Sequence, residues 1–163
     1  MSFPKLNLPP FSPRLRRTGQ GSAYAFEVYD SSRRKWLCLT PEEYVRQAFN
    51  AFLINHKGIP ASLLANEVSL TVNGMNRRSD TVVFRNNLKP LLIVEYKRPS
   101  VEITQDVFSQ IARYNITFEA PFLAVTNGLV TYCVHYHLKR GTYSFMEDFP
   151  NYEQMLELAD SEL

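Results

Sequence analysis

Between residues 40 and 60 the apolar positions recur at helical spacing: Tyr44, Val45, Ala48, Phe49, Phe52 and Leu53. This pattern predicts an amphipathic helix over "TPEEYVRQAFNAFLINHKG". Thr40 suits the N-cap, Pro41 the first helical position, and Glu43 completes a capping box with Thr40. Gly58 and Pro60 stop the helix. Upstream, "SAYAFEVYD" is rich in strand formers, "SSRRK" supplies a turn and "WLCL" resumes extended character, which predicts a hairpin. Downstream, "ASLLANEVSL" predicts a short helical turn leading into a strand that ends near Val72.

Asn73-Gly74 is a hairpin turn, because both central positions of a type I′ turn need positive φ. The strand "SDTVVF", the polar turn "RNNLK" and the strand "PLLIVEYK" follow. The last of these is nearly continuous apolar sequence, as expected of a central strand covered on both faces. "ITQDVFSQIARYNITFEA" reads as a helix with Ile103, Val107, Ile111 and Tyr114 on one side. "PFLAVT" is another buried strand, Asn127-Gly128 another turn, "LVTYCVHYHL" and "TYSFM" continue the sheet, and "NYEQMLELAD" is a closing helix. The expected fold class is α/β (or α+β), a mixed sheet flanked by helices.

At 163 residues the chain has the length of about one domain. Residues 1–20 read as a Pro-rich arm with the basic cluster Arg14-Leu15-Arg16-Arg17, and 21–163 as a single domain. The arm either packs across the body through Leu6, Leu8 and Phe11 or stays mobile. Hydrophobic residues at 45% and charged residues at 21% fit a globular chain. The net charge of +2 gives no strong electrostatic footprint for nucleic acid, so a basic surface must come from local arrangement. No apolar run reaches the roughly 20 residues that cross a bilayer. Pro4, Pro9, Pro10 and Pro13 break any signal peptide. Cys38 and Cys133 are too few for a disulfide scaffold, which points to a reducing cytoplasm.

The chemistry concentrates at two strand ends. Asp80 opens one strand and Glu95-Tyr96-Lys97 closes the next, with Glu95 and Lys97 on one face and Tyr96 on the other. The turn at 86–89 makes the two strands antiparallel neighbours, so two carboxylates and an ammonium converge at the rim of an apolar sheet. Burying such charges costs several kcal/mol per ion unless they are paired or hold a metal. A hard cation such as Mg²⁺ takes one or two carboxylates together with phosphate oxygens. A structural Asp–Lys or Glu–Lys pair fits the same three residues.

"RRSDTVVF…KPLLIVEYKRPSVEITQDVFSQIARYN…FLAVTNGL" closely resembles the N-terminal nuclease domain of type I restriction enzyme R subunits, in the PD-(D/E)xK nuclease superfamily. The likeness reaches upstream to "LTPEEYVRQ" and downstream to "FPNY", covering most of residues 22–152. It implies a restriction-endonuclease-like fold, with Asp80 and Glu95 as metal ligands for Mg²⁺ or Mn²⁺ and Lys97 as the catalytic lysine. It also implies that Gln110 and Tyr114, one helical turn apart, face the site. Ser79 stands before Asp80 where the superfamily name has Pro. Related nucleases add a Glu from the first helix. Glu43 is accounted for by the capping box, whereas Glu42 lies about 100° around the helix toward the apolar face and is expected to look inward to the metal.

Arg77, Arg78 and Arg98 adjoin these residues and are candidate phosphate contacts; Arg85 and Lys89 fit a solvated turn equally well. Cys133, His135 and His137 share one face of a strand. A structural zinc site needs four ligands from more than one element, so this trio reads as a polar sheet face. His56 suits a helix C-terminus. No P-loop or nucleophilic triad is present. Two functional expectations stand: a metal-dependent DNA endonuclease without motor domains, working with other restriction-system subunits or as a homo-oligomer, and a catalytically weak or inactive nucleic-acid-binding or assembly module of the same fold.

Overall fold

Helix α1 (Pro41–Lys57) starts where Thr40 Oγ accepts the Glu43 amide and ends at Gly58, whose φ of 68° only glycine adopts freely. The computed structural model describes residues 3–19, 25–72, 74–115 and 118–162. Before α1, strands β1 (Leu15–Arg17), β2 (Phe26–Asp30) and β3 (Lys35–Cys38) form a three-stranded antiparallel sheet. The basic cluster of the arm is thus itself a strand, paired to β2. Further up the arm, Leu6 is buried against the main core, with Leu8 and Phe11 packed beside it. The residues expected to begin the first strand, 22–24, lie outside the described residues.

After α1, a 3₁₀ turn (Ala61–Leu63) leads into β4 (Leu64–Val72), followed by β5 (Met75–Phe84), β6 (Pro90–Tyr96), α2 (Gln105–Asn115), β7 (Phe122–Thr126), β8 (Thr131–His137), β9 (Thr142–Phe145) and α3 (Tyr152–Ser161). Strands β4 to β9 form one six-stranded sheet in sequence order. Only the β6–β7 pair among them is parallel, which is why α2 must cross over between the two. Asn73 of the first predicted turn lies outside the described residues, while Gly74 has the positive φ, 75°, that the turn requires.

The sheet is covered on both faces. On one, Val45, Ala48, Phe49 and Leu53 of α1 and Met155 and Ala159 of α3 pack on Leu92, Val94, Tyr96 and Phe122. On the other, Phe108 and Ala112 of α2, with Ile103, pack on Val82, Ile93 and Val125. Burying each large side chain stabilises the fold by about 1.5–3 kcal/mol. The double cover explains the unbroken apolar run of β6.

Three details differ from the sequence pattern. Helix α2 begins at Gln105 and buries Phe108 and Ala112, not the stripe of Val107 and Ile111, which is half-buried. Its apolar positions fit two adjacent stripes, and packing selects the one carrying the aromatic ring. Asp80 does not open a strand: it lies in the middle of β5. Residues Met75–Ser79 pair with β4 alone, and pairing with β6 begins at Thr81. The third concerns the acidic pair at the start of α1.

Candidate active site

That acidic pair sorts opposite to expectation. Glu43, not Glu42, points inward: its side chain is 8% exposed and that of Glu42 is 46% exposed. The capping box is half formed, because Glu43 is drawn away from the helix start by three partners. Arg33 Nη2 donates to its Oε1 at 2.8 Å, Gln47 Nε2 to the same oxygen at 2.8 Å, and Arg46 Nη1 to Oε2 at 2.5 Å. Two buried guanidiniums outweigh one backbone amide at the helix terminus. Glu42 is left facing outward, toward a cleft.

The cleft holds about 480 Å³ and is lined by Glu42 of α1, Lys97 and Arg98 just after β6, Val101, and Val107, Gln110 and Ile111 of α2. Four of the site residues expected from sequence therefore meet there: Glu42, Lys97, Arg98 and Gln110. Lys97 is set by the strand before it, its amide donating to Thr126 O at 2.9 Å. Gln110 reaches the cleft because α2 turns its Phe108–Ala112 stripe to the sheet.

Asp80 and Glu95 are not among the cleft-lining residues; they stand on the strands behind it. The register Thr81↔Val94, carried one step further, sets Asp80 opposite Glu95. The backbones part there, and Asp80 Oδ2 accepts the Tyr96 amide at 3.0 Å in place of a strand carbonyl. Glu95 is half-buried beside Val125 of β7. Charge ties Asp80 to the cleft: burial, and then the nearby Asp80 carboxylate, push the Glu42 carboxyl above its ordinary range, against the pull of Arg46 and Lys97.

Arg46 is the residue that sequence reasoning missed. It is 6% exposed and reaches three carboxylates: Glu43, Asp80 Oδ1 at 3.4 Å and Glu42 Oε1 at 4.0 Å. Its guanidinium also lies 5.4 Å from the centre of the Tyr96 ring. These carboxylates hold it firmly protonated despite burial. The spacing of Glu42, Glu43 and Arg46, at i,i+4 and i,i+3 on a helix, was the available signal. Arg33 extends the network to Asp30 of β2 at 2.5 Å and to Glu67 of β4 at 3.2 Å. Glu67 has a φ of 54°, a strained value for a non-glycine residue in a strand, at the gap in the β4–β5 register between Asn66↔Thr81 and Val68↔Ser79.

The other expected site residues are placed apart. Arg78 is 65% exposed and pairs with Glu67 at 2.8 Å on the β4–β5 ribbon. The side chains of Arg77 on β5 and Tyr114 on α2 lie outside the described residues. Glu42, Asp80 and Glu95 offer the oxygen donors a hard divalent cation takes. Among the described residues, however, their carboxylates are not gathered within 4.8 Å of one another, so the expected convergence of the carboxylates at one rim is not met in this arrangement.

A six-stranded mixed sheet with one parallel pair and helices on both faces is also the fold of a solved structure. A fragment attributed to an HsdR subunit of a type I restriction enzyme from Vibrio vulnificus YJ016 superposes with a TM-score of 0.57 at 17% sequence identity, over 76% of this chain. This chain spans 26% of that one. Residues 41–150 match the model of the type I restriction enzyme R protein N terminus, and the chain belongs to that family. A comparison with curated proteins gives no match.

Proposed function

We propose that this chain is a metal-dependent endonuclease domain of the PD-(D/E)xK kind that hydrolyses DNA phosphodiesters in a restriction system. The observation that carries the reading is the cleft shared by Glu42, Lys97 and Gln110, with Asp80 and Glu95 on the strands behind it. Asp80, Glu95 and Glu42 are the residues that would hold Mg²⁺ or Mn²⁺. When bound, such an ion polarises the phosphoryl oxygen and lowers the pKa of a coordinated water. The Lys97 ammonium orients the attacking water and neutralises charge that builds on the phosphoryl group in the transition state. Gln110 donates to the same water or to a phosphate oxygen from the opposite wall. Arg98, at the cleft mouth, and Arg77 and Arg78, on the ribbon, hold the flanking phosphates. Water forms the new P–O bond as the bond to the 3′-oxygen breaks. The reaction supposes a cytoplasmic setting and DNA delivered by other restriction subunits or a second copy of the chain.

Supercoiled plasmid with Mg²⁺ or Mn²⁺ tests this. Nicking by the wild type, lost in Asp80→Asn and Lys97→Ala, is expected. Equal nicking by all three overturns it.

One observation favours the second reading, a module that binds nucleic acid without turnover. Arg46 already supplies a positive charge to Glu42, Glu43 and Asp80. If that guanidinium suffices, Mn²⁺ calorimetry will register no binding at millimolar concentrations, and plasmid will be retained but not cut.

A further inference from the structure

A second cluster of ligating side chains lies away from this cleft. His135 and His137 project from the same face of β8, their rings 4.6 Å apart, and Glu162 caps the C-terminal end of α3 above them. We propose that His135, His137 and Glu162 form a binding site for a zinc-type divalent cation that joins β8 to the end of α3.

The first support is an orphaned atom. His135 is 5% exposed, and its Nε2 is fully buried without a hydrogen-bond partner. The nearest carboxylate oxygen, Glu162 Oε1, is 3.9 Å away, too far for a hydrogen bond. A buried imidazole nitrogen aimed at a carboxylate beyond hydrogen-bond range has room for an ion between the two. Stacking on the Phe122 ring, at 4.7 Å and 14°, fixes the plane in which that nitrogen points.

The second support is the donor set. One atom from each of the three residues falls within 4.8 Å of the others. Zinc takes imidazole nitrogen and carboxylate oxygen at about 2.0–2.2 Å, so the donors must close to roughly 3.3 Å, a movement within reach of a partly exposed Glu162 side chain. His137 offers Nδ1, which contacts Glu162 Oε1, and its Nε2 lies 3.0 Å from Ser144 Oγ on β9. A hydroxyl accepting from one ring nitrogen frees the other to bind metal, the usual arrangement around zinc-bound histidines. The helix C-terminus carries partial negative charge that also favours a cation. Cys133, two residues earlier on the same face, is not among the grouped donors and belongs to the core. Three protein ligands leave a position for water. Glu162 was beyond reach of sequence reasoning, because only α3's return to β8 brings it near the histidines.

The full chain titrated with Zn²⁺, followed by calorimetry and thermal unfolding, tests the site. One equivalent is expected to bind and to raise the unfolding temperature. His137→Ala and Glu162→Gln, both at partly exposed positions, should weaken Zn²⁺ at least tenfold. Ser144→Ala should weaken it by about 10–100-fold, as loss of an outer partner does. Co²⁺ should give the visible absorption of a tetrahedral site in the wild type and not in His137→Ala. Asp80→Asn should keep the tetrahedral Co²⁺ absorption that His137→Ala loses, which separates this site from the carboxylate cleft. Absence of stoichiometric Zn²⁺ binding, or binding lost in Asp80→Asn but kept in His137→Ala, overturns the proposal.

Discussion

Asp80 Oδ2 accepts the Tyr96 backbone amide at 3.0 Å, so a side chain closes the ladder where strands β5 and β6 part. The Lys97 amide addresses β7, so the Tyr96 amide, next along the strand, faces β5 and needs an acceptor there. Asp80→Ala removes it and also strips Arg46 of one partner, at a cost of about 1–3 kcal/mol in stability. Asp80→Asn keeps an acceptor oxygen and should lose less than half of that. Urea unfolding of both variants checks the difference.

Arg46 should be the most sensitive polar position. Arg46→Met leaves buried Glu43 with Arg33 and Gln47 only, so the loss should fall below the about 3–5 kcal/mol of a pair broken completely from one side. Adding Glu43→Gln should recover part of the loss, because the carboxylate oxygen that faced Arg46 no longer carries a charge. A double-mutant cycle by thermal unfolding measures the coupling.

The pH dependence follows from Asp30. Burial alone would raise its carboxyl, but hydrogen bonds from Ser32 and Arg33 and the charge of Arg33 together hold it below its ordinary value of 3.8. A lowered folded pKa means that the folded state binds its proton less readily than the unfolded chain. The stabilisation is therefore complete above that ordinary value and is lost as pH falls through the lower, folded one. Asp30→Asn should flatten the acid limb of the stability profile below pH 3.8. Glu42, shifted the other way, contributes with opposite sign, so Glu42→Gln should leave that limb in place and slightly raise stability at neutral pH. Urea midpoints across the acid range resolve both.

The arm is anchored by Leu6 against the β7–β8 turn. A Cβ on Gly128 would meet Leu6 Cδ2 at 2.7 Å, and Gly128 has a φ of 81°. Gly128→Ala thus meets backbone strain and a clash together. Leu6→Ala should cost about 2–3 kcal/mol, the low end for a leucine with slight solvent access. In Leu6→Ala the Gly128→Ala change should cost less, since only the strain remains. Thermal unfolding of the single and double variants decides this.

The sequence revealed the fold wherever pattern and packing agree. The continuous apolar run of β6 announced a strand covered on both sides, and Thr40, Pro41 and Gly58 bounded α1 within a residue. Pattern misled where two solutions were equally periodic: α2 carries adjacent apolar stripes, and the sheet accepts the one with Phe108. It misled at Glu43 because a capping box is a local preference, while Arg33 and Arg46 arrive from tertiary structure. That Lys97 and Gln110 share a cleft was an expectation of the family resemblance, and Glu42 joins them there facing outward, not inward as its place on the helix suggested. The central place of Arg46 and the meeting of Glu162 with the histidines depend on long-range closure, which no local pattern encodes.

The β4–β5 ribbon beyond Ser79 is held by a single neighbouring strand. Lengthening or trimming its tip leaves the pairing of β5 with β6 in place. One residue inserted between Asp80 and Val83 would instead turn Asp80 to the opposite side of the sheet. Tolerance and intolerance to insertion thus meet within a few positions of one strand, and a scan of single insertions along β5 should trace that border directly.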